Sequence, residues 1–380
     1  MNVLSSLLIA AALVIGAGVH VAGSQTPTRS EIITRVDSLA SAYLVATHTP
    51  SVSLAVLRGS DTLVMKGYGD ASIAPRRPAT SSTIYPIGSI TKQFTAAEIM
   101  RLAERGKLSI DDPVTKYLPD VPTHGRTITI RRLLNHTSGL HNYAAKPSWR
   151  ASWSQPLSPR QVIALVDHDS LDFNPGSRWS YSNTGYILLG MIIEKVTGQT
   201  YASQLEQDLF KPLGLSQTSY CPSHHKDPMF ADGYATSTGT PKPATYIDMS
   251  QWFAAGALCS TARDIVKWQR ALESGTVVDA ASYTLMTTPD TLIDGSRLTY
   301  GFGLTIGALG AHRQIGHNGA ASGFTNMSLF YPDDSVNIVV LSNADAGPGL
   351  RSGGTPVLAA NIARVVFGIP LTVRNGNDNR

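Results

Sequence analysis

Two apolar segments of β-strand character, at opposite ends of the chain, constrain its fold more than any other feature. Near the N-terminus, VSLAVLRGSDTLVMKGYG contains two apolar runs around a Gly-Ser-Asp turn at 59–61, which is a hairpin signal. Near the C-terminus, MSLFYPDDSVNIVVLSN repeats the pattern around a Pro-Asp-Asp turn at 332–334. Strands at both ends of a chain favour an antiparallel sheet that is built from the two termini.

The chain between these segments has little strand character and repeated helix signals. The predicted helices, most of them ended by a glycine, are 31–46, 91–105, 159–167, 184–197, 262–274 and 356–368. The sequence therefore predicts an α+β fold, in which an antiparallel sheet from the N- and C-terminal strands is flanked by helices. A mostly helical lobe is inserted between those strands.

We expect a single domain over residues 25–380 that consists of two lobes. An α/β lobe would comprise about 30–88 and 300–370, and a helical lobe about 89–299. With 42% hydrophobic and 15% charged residues, the composition is that of an ordinary globular protein. A cleft between two such lobes is where a binding site is expected.

The first 24 residues have the features of a secretory signal peptide. They contain no Asp, Glu, Lys or Arg, run apolar from Leu7 to Ala17, and end in the small residues Ala22, Gly23 and Ser24. We therefore predict an exported protein, periplasmic or secreted, with no stable membrane span after cleavage. An uncleaved anchor is the alternative, because the apolar run approaches the roughly 20 residues that span a bilayer.

The chain has two cysteines, Cys221 and Cys259. In an exported protein a lone pair is a candidate disulfide, and closing a loop of this length would stabilise the fold by roughly 3 to 4 kcal/mol. Two separate buried thiols are the alternative.

Several function classes lack their signatures. The net charge of +4 is mild, and no basic stripe is interleaved with aromatic residues, so we expect no nucleic-acid partner. The chain has no Gly-x-Ser-x-Gly elbow, no His-Glu-x-x-His and no phosphate-binding glycine loop. The adjacent pair His224-His225 is the nearest approach to a metal motif. We therefore expect neither a metal nor a cofactor.

The segment YPIGSITKQFTAAEIM places Ser89 and Lys92 three residues apart at the start of a predicted helix. Positions i and i+3 share a helix face, so the amine is expected beside the hydroxyl. A lysine acts as a base only when burial or a cationic neighbour lowers its pKa. A simple helix cap is the alternative for Ser89. The same spacing recurs at Ser223 and Lys226, but there it lies in a predicted loop.

A second candidate patch is Tyr181-Ser182-Asn183, just before the predicted helix at 184–197. A phenol could carry a proton if a cation lies nearby, and an amide offers both a donor and an acceptor. The alternative is that Asn183 caps the helix and Tyr181 only packs.

A third candidate patch is His317-Asn318-Gly319, within RQIGHNGAASGF. The glycines at 316, 319 and 323 indicate a strand edge that another backbone, such as a substrate, approaches closely. A lone histidine is also commonly a surface residue or a satisfied core residue.

The three patches together resemble the serine β-lactamase and penicillin-binding-protein superfamily. The nearest pattern is the branch of class C β-lactamases, serine DD-carboxypeptidases and β-lactamase-like esterases. The resemblance extends from about residue 35 to about 367 and includes the blocks LLNHTSGL, PGSRWSYSNTGY and GALCSTARDIVKW. It implies the β-lactamase-like α+β fold.

The resemblance also implies a role for each candidate residue. Ser89 would be the acyl-forming nucleophile, activated either by Lys92 or by a Tyr181 phenol that Lys92 polarises. Tyr181 would pass a proton to the leaving group, and Asn183 would hold Lys92 and the amide carbonyl of the substrate. His317 would line the opposite wall.

An oxyanion hole is part of the same resemblance. The backbone N–H groups of Ser89 and of Ala320, the residue after Gly319, would form it. The substrate would be a small molecule or a peptidoglycan peptide.

One departure from the family pattern affects the substrate. Class C β-lactamases usually carry Lys-Thr-Gly where this chain has His-Asn-Gly at 317–319. A histidine near pH 7 is mostly neutral and attracts an anionic substrate less strongly. The His-x-Gly form is seen in the DD-peptidase and esterase members.

The resemblance thus implies an exported serine hydrolase that cleaves a peptide, amide or ester through a Ser89 acyl-enzyme. A D-alanyl-D-alanine carboxypeptidase-like or penicillin-interactive protein is expected first, and a β-lactamase-like esterase or class C-type β-lactamase is the alternative. A non-catalytic peptidoglycan-binding member is a further alternative, against which the intact set of Ser89, Lys92, Tyr181 and Asn183 argues.

Overall fold

A seven-stranded antiparallel sheet forms the framework of the protein. The structure, a computed structural model, describes residues 27–222, 227–345 and 354–371. The strands of this sheet and of two smaller ones are, in chain order, β1 (Ser51–Arg58), β2 (Asp61–Ile73), β3 (Arg76–Pro78), β4 (Tyr85–Pro86), β5 (Ser219–Tyr220), β6 (Tyr234–Ala235), β7 (Lys242–Pro243), β8 (Leu258–Ser260), β9 (Thr305–Leu309), β10 (His312–Ala321), β11 (Phe324–Tyr331) and β12 (Val336–Ser342). The large sheet has the order β3-β2-β1-β12-β11-β10-β9.

The two predicted hairpins lie side by side in this sheet. β1 pairs with β2 and β11 pairs with β12, in each case antiparallel. β1 also pairs with β12, with Val52 opposite Ser342 and Arg58 opposite Val336. The prediction of one antiparallel sheet built from both chain termini is therefore confirmed.

Helices surround the sheet and fill the middle of the chain. They are α1 (Arg29–Thr47), α2 (Thr91–Glu104), α3 (Ile130–Leu134), α4 (Pro147–Ala151), α5 (Pro159–Ala164), α6 (Asn183–Thr197), α7 (Tyr201–Leu205), α8 (Lys211–Leu213), α9 (Phe253–Gly256), α10 (Ala262–Glu273), α11 (Ala280–Thr287) and α12 (Thr355–Phe367). The predicted helices are present at α1, α2, α5, α6, α10 and α12, although α5 ends earlier than the sequence indicated. The short helices α3, α4 and α7 to α9, and the longer α11, had no clear sequence signal.

The large sheet has helices on both faces. α1 and α12 pack together on one face, in a core that includes Val36, Leu54 and Ile362. α10 packs on the opposite face, where Ala55 and Val339 belong to the larger core of the protein. β1 and β12 are consequently buried along almost their whole length, which accounts for their nearly continuous apolar sequences.

A small three-stranded sheet, in the order β4-β8-β5, leads the chain into α2. This sheet could not be predicted from the sequence, because strands of two or three residues are too short to show a periodic pattern. β4 pairs with β8 and is followed by a 3₁₀ turn at Gly88–Ile90, from which α2 continues. The segment 85–91 is thus fixed at both ends by regular structure.

Parts of the chain that carried sequence-based predictions lie outside the described residues. They are the signal segment at 1–24 and the pair His224-His225 with its flanking Ser223 and Lys226. In the described ranges, none of the helices combines the length and the hydropathy needed to cross a bilayer. Within the same ranges, no three His, Cys, Asp or Glu side chains are grouped as metal ligands.

Candidate active site

Ser89 and Lys92 lie together where the chain enters α2. Ser89 is in the 3₁₀ turn and is partly exposed, whereas Lys92, in the first turn of α2, is completely buried. Lys92 Nζ lies 3.3 Å from Ser89 Oγ. Ser89 does not cap α2, because the N-cap position is Ile90 and no side chain caps the helix there. The juxtaposition predicted from the sequence is therefore present, in a tighter turn than an α-helix.

Lys92 is held by two carbonyl oxygens. Its Nζ donates to Asn183 Oδ1 at 2.8 Å and to the backbone oxygen of Ala255 at 2.8 Å. Burial holds the pKa of Lys92 well below its usual value. The neutral amine, whose lone pair can accept a proton, is accordingly stabilised relative to the ammonium form.

Tyr181 and Asn183 reach the same point from the start of α6. Asn183 is the first residue of that helix and is 7% exposed. The ring of Tyr181 lies with its centroid 4.8 Å from Lys92 Nζ. Burial raises the pKa of Tyr181, and a contact with the Ser89 side chain lowers it only in part. Tyr181 is therefore a protonated phenol at neutral pH, and no described group makes a well-formed hydrogen bond with its hydroxyl.

His317 lies on β10 and is buried, at 2% exposure. Its Nε2 is 2.9 Å from the hydroxyl of Tyr300, and its Nδ1 faces the backbone oxygen of Asn318. Because a carbonyl oxygen can only accept, Nδ1–H donates to Asn318 and Nε2 accepts from Tyr300. Burial, followed by the nearby Lys92, lowers the pKa of His317 to about 3. Both ring nitrogens of a neutral imidazole are thus in use.

The second half of β10 forms one edge of the cleft. β9 pairs with β10 only as far as Gly316, which leaves the following residues unpaired on that side among the described residues. A Cβ at Gly319 would overlap the backbone oxygen of Ile87, and one at Gly88 would lie 2.5 Å from the backbone oxygen of Ala320. Two glycines therefore let β10 contact the turn that carries Ser89; the sequence predicted a close backbone approach at Gly319, without identifying this turn as the partner.

A pocket of about 210 Å³ opens beside this contact. Its lining includes Pro86, Met249, Trp252 and Phe324, together with a disulfide bond that joins Cys221 and Cys259. Ala321 and Ser322, which directly follow Ala320 on the chain, also line it. The pocket thus adjoins the turn that carries Ser89, on the side where β10 ends.

Sequence reasoning missed three residues of this site. Ala255 contributes a backbone oxygen, which no sequence motif reveals. Tyr300 bonds His317 from the loop before β9, and its aromatic side chain alone gave no signal. His136 stacks against Tyr181 with ring centroids 4.4 Å apart. It belongs to the block LLNHTSGL, so its position could have been suspected from the resemblance.

Comparison with known proteins identifies the family of the chain. The Beta-lactamase family model matches residues 36–361 of the chain. A penicillin-binding protein of Bacillus subtilis (strain 168) is 31% identical over 307 residues, which cover 76% of this chain and 66% of that protein.

Solved structures give the same relationship. The octameric penicillin-binding protein homologue from Pyrococcus abyssi is similar with a TM-score of 0.76 at 28% identity, covering 89% of this chain and 78% of that one. The D-amino acid amidase from Ochrobactrum anthropi SV3, complexed with L-phenylalanine amide, has a TM-score of 0.75 at 26% identity. That match covers 89% of this chain and 97% of the amidase.

The family match and the similar solved structures identify a serine hydrolase of the kind that acts through an acyl-enzyme. More specifically, the chain belongs to the Beta-lactamase family, since the family match spans most of its length. The chain spans only 66% of the length of the Bacillus relative, so the activity of that longer protein is not carried over as a whole.

Proposed function

We propose that the protein hydrolyses an amide or ester of a D-amino acid or short peptide, with Ser89 as nucleophile and Lys92 as its base. The observation that carries this proposal is the bonding of Lys92. A neutral amine has two hydrogens and one lone pair, and both carbonyl partners of Lys92 lie 2.8 Å from its Nζ. The lone pair is then left for the Ser89 hydroxyl, 3.3 Å away.

Proton transfer in the proposed reaction follows from these protonation states. Ser89 Oγ attacks the substrate carbonyl carbon while its proton moves to Lys92, giving a tetrahedral intermediate. Tyr181, kept protonated by burial, donates its proton to the leaving group as the scissile bond breaks, and then regains one from Lys92. Water attacks the acyl-enzyme by the reverse transfers, which releases the acid and restores Ser89.

The negative charge that develops on the carbonyl oxygen of the substrate must be stabilised by hydrogen-bond donors beside that oxygen. We assign the N–H groups of Ser89 and Ala320 to this role. The contact between Gly88 and Ala320 supports the assignment, because it brings the two backbone segments to adjacent positions. Such donors typically contribute about 3 to 4 kcal/mol each to transition-state binding.

The wall formed by His317 favours an uncharged leaving group. Burial, followed by the nearby Lys92, lowers the pKa of His317 to about 3, so its imidazole is neutral. A substrate carboxylate would therefore find no fixed cation there. A D-alanyl-D-alanine carboxypeptidase needs to bind such a carboxylate, so we place neutral amides and esters first and keep that peptidase activity as the alternative.

We assign the binding of the acyl part of the substrate to the pocket beside β10. Its lining of aromatic, proline and methionine side chains suits an apolar group of one side chain. The solved relatives include a D-amino acid amidase complexed with D-phenylalanine, which supports a D-amino-acid acyl group for this chain as well.

Covalent labelling tests the role of Ser89. A fluorescent penicillin or a fluorophosphonate should leave one adduct on the wild-type protein and none on Ser89→Ala. Ser41→Ala, which changes an exposed hydroxyl on α1, is the control and should label like wild type. Equal labelling of Ser89→Ala would refute the proposal.

A substrate panel tests the choice of leaving group. We expect kcat/KM for D-phenylalanine amide and for p-nitrophenyl acetate to exceed that for a D-Ala-D-Ala peptide by about tenfold or more, since the peptide carries a carboxylate that no fixed cation meets. Nitrocefin should be a poor substrate. Fastest turnover of the D-Ala-D-Ala peptide would instead support a carboxypeptidase, and tight binding without turnover of any substrate would support a non-catalytic protein.

A further inference from the structure

His136 contacts the ring of Tyr181 and hydrogen-bonds the residues on either side of it. The backbone oxygen of His136 accepts the N–H of Ser180 at 3.0 Å, and its Nδ1 accepts the N–H of Ser182 at 3.3 Å. The imidazole also stacks against the Tyr181 ring, with centroids 4.4 Å apart and planes tilted by 42°. The two backbone amides on either side of Tyr181 are therefore both bonded to one residue.

The conformation of His136 is unusual for its residue type. Its φ is 62°, in the left-handed region that glycine and asparagine adopt with less strain. The side chain is 2% exposed and packs among the rings of Tyr181, Tyr186 and Tyr300. A strained backbone persists only where the surrounding structure fixes it, and such positions cluster at functional sites.

The protonation state of His136 follows from its bonds. Because Nδ1 accepts the Ser182 N–H, the neutral ring carries its proton on Nε2. Burial, followed by Lys92 and His317, lowers the pKa of His136 well below its usual value, so the ring stays neutral. It does not reach Ser89 in any described contact, which separates its role from that of the proton-transfer groups.

Neighbouring residues of the same segment hold the other end of the Tyr181–Asn183 turn. The N–H of Asn183 donates to Asn142 Oδ1 at 3.2 Å. Thr184 Oγ1 donates to the backbone oxygen of His141 at 2.6 Å. The segment 136–142 thus binds the turn from both sides, and His136 is its contact with the phenol.

We propose that His136 is a positioning residue that fixes the Tyr181 phenol for proton transfer to the leaving group. The inference rests on the function proposed above and extends it to a residue outside the proton-transfer set. It predicts that loss of the imidazole affects reactions that need leaving-group protonation more than reactions that do not. An amide needs it, because an amine leaves only as the protonated form, whereas p-nitrophenolate leaves without a proton.

The test compares His136→Gly with wild type on two substrates. Glycine accepts the left-handed φ and keeps the backbone oxygen, so it removes only the side chain. We expect kcat for D-phenylalanine amide to fall roughly tenfold to 100-fold, with KM and the hydrolysis of p-nitrophenyl acetate changed less than about threefold. His136→Asn, whose amide oxygen can accept the Ser182 N–H, should restore part of the loss. His124→Gly is the matched control, because His124 has a φ of 50° but is exposed.

A double-mutant cycle with Tyr181→Phe separates positioning from general loss of structure. If His136 acts through the phenol, His136→Gly should change amide turnover less than about twofold in the Tyr181→Phe background. Equal losses for amide and ester, or a full loss in that background, would overturn the inference. If His136→Gly does not fold, His136→Asn takes its place in the same cycle.

Hydrogen exchange gives an answer that does not depend on any substrate. Exchange at the Ser182 amide should be about tenfold faster or more in His136→Gly than in wild type, because the bond to Nδ1 is lost. Unchanged exchange there would refute the positioning role. A wild-type protein that hydrolyses neither substrate and binds no penicillin would refute the proposed function, and the exchange experiment would still decide the role of His136.

Discussion

Burial disfavours the charged forms of the ionisable side chains around Ser89. It lowers the pKa values of Lys92, His136 and His317 and raises that of Tyr181. Each group is paired with a backbone or side-chain partner that suits its neutral form, except the Tyr181 hydroxyl and the Nε2–H of His136. These shifts suit the proton transfers proposed above, because each of them favours the neutral form of the group.

His317 gives a pH prediction that differs from the expectation based on sequence. A free histidine would lose its charge near pH 6 to 7, but the pKa of His317 is lowered to about 3, so the imidazole stays neutral from pH 5 to 8. We expect the ratio of kcat/KM for a carboxylate-bearing substrate to that for a neutral ester to stay constant over this range. Paired pH profiles of the two substrates measure it. A change in the ratio centred between pH 6 and 7 would show that His317 titrates.

The buried carboxyl group of Glu98, six residues beyond Lys92 on α2, should make the free energy of unfolding depend on pH. Burial raises its pKa to about 8, helped by Asp208, although a hydrogen bond from Gln204 opposes the shift. The carboxyl group is therefore protonated in the folded protein and ionised in the unfolded chain between about pH 4.5 and 8, so the unfolded chain binds fewer protons. Its contribution to stability is lost as pH rises through this window.

The substitution Glu98→Gln should remove this dependence, because an amide keeps the oxygen that accepts from Gln204 and cannot ionise. We expect the melting temperature of the variant relative to wild type to be higher at pH 8 than at pH 5. Thermal unfolding at the two pH values measures the difference. Glu104→Gln, which changes an exposed carboxylate on the same helix, is the control. A difference that is independent of pH would contradict the raised pKa.

At the scale of elements, the arrangement of the candidate site depends on a backbone contact between β10 and the turn before α2. Sequence reasoning identified both segments, because glycines mark places where backbones approach closely. It also located the ends of the long helices, since α6 and α12 are followed by Gly198 and Gly368 with φ of 71° and 70°. It could not find the sheet β4-β8-β5 or the oxygen of Ala255, because neither involves a periodic pattern or a distinctive side chain.

Gly319→Ala tests the contact directly. The added Cβ would overlap the backbone oxygen of Ile87 and push β10 away from the turn that carries Ser89. Displacements of about 1 Å at a reacting centre can reduce rates about 100-fold, so we expect labelling by a fluorescent penicillin to slow by roughly tenfold to 100-fold. Gly307→Ala on β9 is the matched control, because no atom lies within 4 Å of its Cβ position. Normal labelling of Gly319→Ala would show that the contact does not position the site.

At the scale of the whole molecule, the large sheet separates two hydrophobic cores, one on each of its faces. α1 and α12 cover one face with apolar side chains, and the turn that carries Ser89, α2 and α6 lie on the other side. The sequence indicated the sheet because both ends of the chain carry strand patterns. It could not show which helices share a face, since that depends on strand order and on the direction of each connection.

Ile362→Ala should therefore lower stability without changing the chemistry. Ile362 is fully buried between α12 and the sheet, so truncation should reduce the free energy of unfolding by about 2 to 5 kcal/mol. Denaturant unfolding measures this loss. The rate of penicillin labelling at a temperature where the variant is folded should equal that of wild type. Val357→Ala, on the exposed side of the same helix, should change neither quantity appreciably.

Because β1 pairs with β12, the large sheet can be completed only after the last strands of the chain have been synthesised. Ser89 lies early in the sequence, whereas β10 and β12 lie near its end, and the proposed oxyanion hole uses the N–H groups of Ser89 and of Ala320 on β10. Under that proposal, a ribosome-bound chain that lacks its last strands carries a serine without its second oxyanion donor. Labelling by a penicillin would then report completion of the fold.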